Sequence, residues 1–240
     1  MVNVSLFTTC LVQGLYPQVI EATVEVLTRA GCEVTIPKSQ TCCGQAPFNA
    51  GLLEETRRLA IKALDDLEGD HPIVVPSGSC ADMLTHHLPH LFEDTPELKG
   101  RALAVSKRVT ELSSFLVDRL GVTDLGARFD ATVAFHNSCH GMRNLGLGRQ
   151  AVTLLENVDS LRLVRLSRPE ECCGFGGLFA VELPEVSSAI MAAKLADVEA
   201  SGAQYVVGGD ASCLLHLAGG LHRRQSALEV RHLAEVLASR

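Results

Sequence analysis

Val133-Ala134-Phe135-His136-Asn137-Ser138-Cys139 is a short apolar run that ends on a cysteine, and Val4-Ser5-Leu6-Phe7-Thr8-Thr9-Cys10 reads the same way near the start of the chain. Each has the length and composition of a buried strand that delivers a thiol at its carboxyl end. Beyond Cys10, at a distance of 32 residues, stands the doublet Cys42-Cys43-Gly44; beyond Cys139, at 33 residues, stands Cys172-Cys173-Gly174. A last cysteine closes each set, Cys80 and Cys213, at 37 and 40 residues past the doublet. Eight of the nine cysteines fall into this scheme. Cys32 stands outside it and reads as a small core residue.

Working outward, the repeat takes in the whole chain. Ser77-Gly78-Ser79-Cys80 matches Asp210-Ala211-Ser212-Cys213, and each follows an apolar run, Ile73-Val74-Val75 or Tyr205-Val206-Val207. Glu111 to Leu116 matches His232 to Leu237. The offset between copies is 129 at the first cysteine and 133 at the last, then drops to 121 at the final segment. The first copy therefore carries about a dozen extra residues, which fall within Pro89 to Arg108 and read as an inserted loop. Between the strands lie helical patterns: Pro17 opens one with Ile20, Val24 and Leu27 on a face and Gly31 at its end. Leu52, Leu59, Ala63 and Leu67 mark a second, and Ala151, Leu154, Leu155 and Val158 a third. Pro184 opens a fourth with the stripe Val186, Ala189, Ile190 and Ala193.

Alternating strand and helix predicts an α/β chain of two pseudo-repeated domains, residues 1–128 and 129–240, each a mostly parallel sheet flanked by helices. Sites in such sheets lie beyond the carboxyl ends of the strands, so the cysteine-bearing segments of each copy are expected to converge at one sheet edge.

Four thiols gathered twice match the needs of two four-ligand sites. Cys10, Cys42, Cys43 and Cys80 form one candidate ligand set; Cys139, Cys172, Cys173 and Cys213 form the other. Structural zinc favours close Cys-x₂₋₄-Cys knuckles, which neither set contains, whereas ligands spread over three loops suit a larger iron–sulfur object, one or two clusters per chain. Gly44 and Gly174 would let the backbone approach a cluster and donate N–H groups to sulfur. Cys80 and Cys213 are placed just before helices, whose N-terminal ends favour negative charge. His136, His140 and Arg143 flank Cys139 and could support a cluster, contact a substrate, or simply satisfy local backbone. His86, His87, His90, His216 and His222 are assigned to solvated helix faces.

Composition narrows the rest. A net charge of −7 argues against a nucleic-acid surface. No apolar run approaches the ~18 residues of a membrane span. The first residues lack a basic region followed by an apolar one, so a cytoplasmic chain with reduced thiols is expected. Gly208-Gly209 lacks the lysine and the glycine spacing of a phosphate loop.

These stretches resemble the cysteine-rich CCG-domain family, most closely its lactate-utilisation branch. The likeness is carried by Leu6 to Cys10, Thr41-Cys42-Cys43-Gly44-Gln45, Val75 to Cys80, His136 to Gly141 and Glu171 to Gly177, and it covers essentially the whole chain. The same paired domain is similar to the iron–sulfur subunit of glycolate oxidase and to the cysteine-rich subunit of heterodisulfide reductase. The resemblance implies [4Fe–4S] clusters, electron transfer in oxidation of L-lactate or a related 2-hydroxy acid, and two partners, a ferredoxin-type iron–sulfur subunit and a third cytosolic subunit. The heterodisulfide type ends each motif with a fifth cysteine; here Ser77 and Asp210 stand there, and the expectation is that they cap helices. A zinc-stabilised scaffold and a thiol–disulfide reductase are the competing readings.

Overall fold

The computed structural model describes residues 1–240. Two four-stranded sheets, every strand parallel to its neighbours, carry the repeat. The first contains β1 (Val2–Leu6), β2 (Cys32–Thr35), β3 (Ile73–Val75) and β4 (Val109–Glu111) in the order β2-β1-β3-β4. The second contains β5 (Thr132–His136), β6 (Arg162–Val164), β7 (Tyr205–Gly208) and β8 (Glu229–His232) in the order β6-β5-β7-β8. In both sheets the order reverses beside the first strand, and open parallel sheets place their sites at that switch point. The three adjacent strands β2, β1 and β3 each lead into a cysteine-bearing segment, and so do β6, β5 and β7.

The helices form where the pattern puts them, with some faces turned. Pro17–Arg29 begins on proline and stops before Gly31, whose φ of +83° only glycine adopts without strain. It buries Val19, Thr23, Val26 and Leu27, so Leu27 of the expected stripe is buried while Ile20 and Val24 are only half-buried. Pro184–Ala200 departs further. Its buried side carries Ser187, Met191, Lys194, Leu195, Asp197 and Val198, while Val186 is about half exposed. The apolar spacing misled because this helix faces a polar loop: Asp197 accepts the backbone N–H groups of Ser167 and Arg168, and Lys194 donates to the Arg168 carbonyl at 2.8 Å. The segment from Pro89 is no loop. A tight turn over Pro89–Phe92 and a helix over Pro96–Ser106 bury Leu91, Phe92, Ala102 and Val105 in the first half's core. Pro96 supplies the helix start, and the apolar residues that follow give it something to bury.

Each half has a core of its own, but the largest apolar cluster, 24 residues, draws on both. It joins Val4 and Leu6 of β1 to Val133 of β5 and Val207 of β7, and includes Val26 and Leu27 together with Leu233, Val236 and Leu237. Arg29 fixes that seam by donating to the carbonyls of Leu237 and Ala238. Gly78 and Gly141 also meet across it: a Cβ on Gly78 would lie 2.6 Å from Ser138 Oγ and 3.2 Å from Gly141 Cα. No helix is long and apolar enough to cross a membrane.

Candidate metal centre

Sequence order and sheet order together bring the cysteines to one place. Cys10 and Cys139 are the first residues of the helices Cys10–Leu15 and Cys139–Arg143, directly after β1 and β5. Cys80 and Cys213 lie inside the first turns of Gly78–Asp82 and Ala211–Arg223, after β3 and β7, rather than ahead of those helices. The doublets occupy the loops after β2 and β6. All eight line a single open cavity of about 540 Å³ between the two halves. Cys32 is buried in the shared core, away from this group, as expected.

Within each half the sulfurs form a chain. Cys42 is bonded by Cys10 and Cys43, and Cys43 in turn meets Cys80. In the second half Cys172 is bonded by Cys139 and Cys173, and Cys173 donates to Cys213 Sγ at 3.0 Å. These bonds hold the Cys42 and Cys172 thiols well below the ordinary thiol value, and they push Cys10, Cys43, Cys139 and Cys173 up. Backbone supports the central sulfur in both: Gly44 N–H points at Cys42 Sγ at 3.4 Å and Gly174 N–H at Cys172 Sγ at 3.3 Å. Both glycines sit near φ +90°, which turns the amide toward sulfur.

Ser77 and Asp210 act as helix caps. Ser77 Oγ accepts from Cys80 N–H, and Asp210 Oδ1 accepts from Ser212 N–H. Asp210 does more, since its Oδ2 accepts the Ser79 N–H of the other half at 2.8 Å and the Ser77 hydroxyl at 3.3 Å.

The histidines divide. His136, 1% exposed, has no hydrogen-bond partner on either ring nitrogen, and its ring lies within 4.8 Å of the Cys173 and Cys213 sulfurs. Burial pushes its imidazole down to about 4. His140 and His86 both bond the fully buried Asp82, at 2.6 and 2.8 Å, with Asn144 a further donor. Burial alone would raise Asp82; those three donors outweigh it and hold the carboxyl below its ordinary value. His216 is half-buried against Phe175 and bonds Ser187 Oγ, so its assignment to a solvated face is corrected; the site loop after the second doublet folds over it. His90 and His222 are exposed, as is Arg143. Asp82 and Lys194 carried no signal in the sequence, because His140 and Asn144, which bond Asp82, and the carbonyls that hold Lys194 all lie more than 20 residues away.

Two sets of four sulfurs, amides aimed at sulfur, and a buried imidazole without a partner suit a thiophilic metal or cluster. A family model described as "Cysteine-rich domain" (CCG) matches residues 4–85 and again 133–218, the two segments that carry these sets. The chain belongs to the cysteine-rich CCG-domain family. Its CCG relatives include proteins named Lactate utilization protein A. One from Exiguobacterium sp. is 46% identical over 240 residues, covering 99% of this chain and 97% of the relative. Those of Bacillus pumilus and Bacillus subtilis are 42% and 39% identical over 238 residues, and each is matched along 100% of its length. As a CCG protein of this length, the chain is thus a tandem pair of the family's domain.

Proposed function

We propose that this chain is an iron–sulfur electron-transfer subunit of a system that oxidises L-lactate or a similar 2-hydroxy acid. The observation that carries the reading is the pair of sulfur quartets facing one cavity, each with a glycine amide on its central sulfur. Cys10, Cys42, Cys43 and Cys80 would hold one [4Fe–4S] cluster, and Cys139, Cys172, Cys173 and Cys213 another, one thiolate per iron. Such clusters supply one-electron exchange when bound. The chain's own residues tolerate their charge and tune it: Gly44 and Gly174 donate N–H groups to sulfur, and the buried doublet cysteines exclude water from one side. Ser77 and Asp210 are occupied as caps, which leaves four thiols per site and supports a cubane over the five-cysteine arrangement of the heterodisulfide type. The names of the full-length relatives support the lactate assignment; the family resemblance adds a ferredoxin-type iron–sulfur subunit and a third cytosolic subunit as partners.

Anaerobic purification followed by iron and acid-labile sulfide analysis and EPR tests the reading. Iron and sulfide in equal amounts are expected, with no lactate turnover by the chain alone. Zinc without sulfide would replace the reading with a structural metal site. Thiol-dependent turnover of a disulfide by the isolated chain would replace it with a reductase.

A further inference from the structure

Behind each sulfur quartet the chain builds a wall, and the two walls differ. Phe7 and His136 occupy equivalent positions, each three residues before the leading cysteine, and each is 1% exposed. Ala63 and Lys194 are equivalent as well. Thr56 and Ser187 both lie against their doublet glycine, and each stands seven residues earlier on its helix. Ala63 and Lys194 are buried alike. The first site is therefore backed by a phenyl ring and a methyl group, the second by an imidazole and an ammonium.

A buried polar group left without a partner loses its hydration and regains nothing, so an imidazole with both nitrogens unpartnered points to something not made by protein atoms. The groups in reach are the sulfurs of Cys173 and Cys213. Lys194 faces the loop that leads into Cys172, where it donates to the Arg168 and Pro169 carbonyls at 2.8 and 3.4 Å. Hydrogen bonds to sulfur and nearby positive charge both favour the reduced, more negative state of an iron–sulfur centre.

We infer that His136 donates a ring N–H to a sulfur of the cluster that the second quartet would hold and, with Lys194, makes the second site the more easily reduced of the two. The inference rests on the iron–sulfur reading above. It gives the chain a direction: an electron entering at the first site is passed to the second, the first being reoxidised as the second is reduced.

The test is a redox titration of the intact, anaerobically prepared chain followed by EPR, with the signals assigned in Cys42→Ser/Cys43→Ser and Cys172→Ser/Cys173→Ser variants. Two midpoints are expected in the parent chain, the higher at the second quartet. His136→Phe, which copies the first wall, should keep its iron and make the second site about tenfold harder to reduce, ~59 mV for a one-electron couple. Equal midpoints in the parent, or an unmoved second midpoint in an iron-replete His136→Phe, would overturn the inference. If His136→Phe sheds iron, His136→Gln decides, because it keeps an N–H donor. Retained iron with a midpoint near the parent's supports the hydrogen bond; loss of iron there too makes His136 a ligand or a packing element and overturns it. Absence of acid-labile sulfide from the parent chain would instead remove the iron–sulfur reading itself.

Discussion

The Ser79 amide in the first half donates to Asp210 Oδ2 in the second, at 2.8 Å, so one carboxylate caps two helices that come from different copies of the repeat. Both partners are buried, Asp210 at 2% exposure. Asp210→Ala should therefore uncouple the halves as well as fray a helix, costing about 2–3 kcal/mol, roughly twice a single cap. Ser77→Ala removes one cap and the longer 3.3 Å bond to Asp210 but leaves the Ser79–Asp210 bond in place, and it should cost about 1 kcal/mol with metal content unchanged. Denaturant unfolding of the two variants side by side measures the difference. Equal losses would mean the bridge between halves adds nothing.

The doublet glycines look alike in sequence and in φ, yet they differ in what surrounds them. A Cβ on Gly174 would meet the Ser187 carbonyl at 2.6 Å and the Met191 amide at 3.0 Å, both backbone atoms that cannot step aside. On Gly44 the nearest atom would be Thr56 Cγ2 at an ordinary 3.5 Å. Gly44→Ala should cost only the left-handed backbone strain, about 1–2 kcal/mol. Gly174→Ala should cost more and push helix Pro184–Ala200 away from the second doublet. Thermal unfolding and metal uptake by each variant check this, and the reverse order would contradict it.

Stability should depend on pH through Glu111, a buried cap whose carboxyl burial pushes up to about 7, from an ordinary value of 4.5. Between those two values the folded chain keeps a proton that the unfolded chain releases, so this contribution weakens as pH rises through the window. His232, its counterpart in the second half, runs the opposite way. Burial pushes its imidazole down to about 4, and stability is lost as pH falls from 6.5 toward 4. The Glu111→Gln variant isolates the first effect. Its stability relative to the parent should grow by roughly 2–3 kcal/mol between pH 5 and 8. A difference that stays flat across that range would show that Glu111 does not titrate there.

Removing one doublet tests whether the sites are separate. The sulfur contacts run within each half, Cys10 through Cys80 and Cys139 through Cys213, although all eight residues line one cavity. Cys42→Ala with Cys43→Ala should thus remove about half of the bound metal and leave the second quartet's spectrum intact. Loss of all metal would reveal a single centre built from both halves.

The repeat made most of the architecture readable. Two strand-plus-cysteine segments at matched spacing predict parallel sheets, and Pro17, Gly31 and Pro184 mark helix limits close to where they fall. The burial of Cys32 and the capping by Ser77 were legible too. The faces of helices were less so: Val186, Ala189 and Ile190 suggest an apolar stripe on a helix that instead turns Lys194 and Asp197 inward to hold a loop. Asp82 was invisible because two of its partners, His140 and Asn144, come from the other half. Spacing along a chain reports what each copy does by itself. It carries nothing on how two copies dock, and the common cavity, the double cap and the shared core all arise from that docking.

Arg29 holds the carbonyls of Leu237 and Ala238 across more than 200 residues of sequence. On the ribosome, then, helix Pro17–Arg29 emerges long before the segment that covers it, and the largest apolar cluster stays open until the last helix is made. Closure of that cluster depends on contacts between segments more than 200 residues apart in sequence. A first half made without Leu233 to Leu237 leaves Val26 and Leu27 without part of their cover, and truncation ahead of Leu233 is expected to do the same.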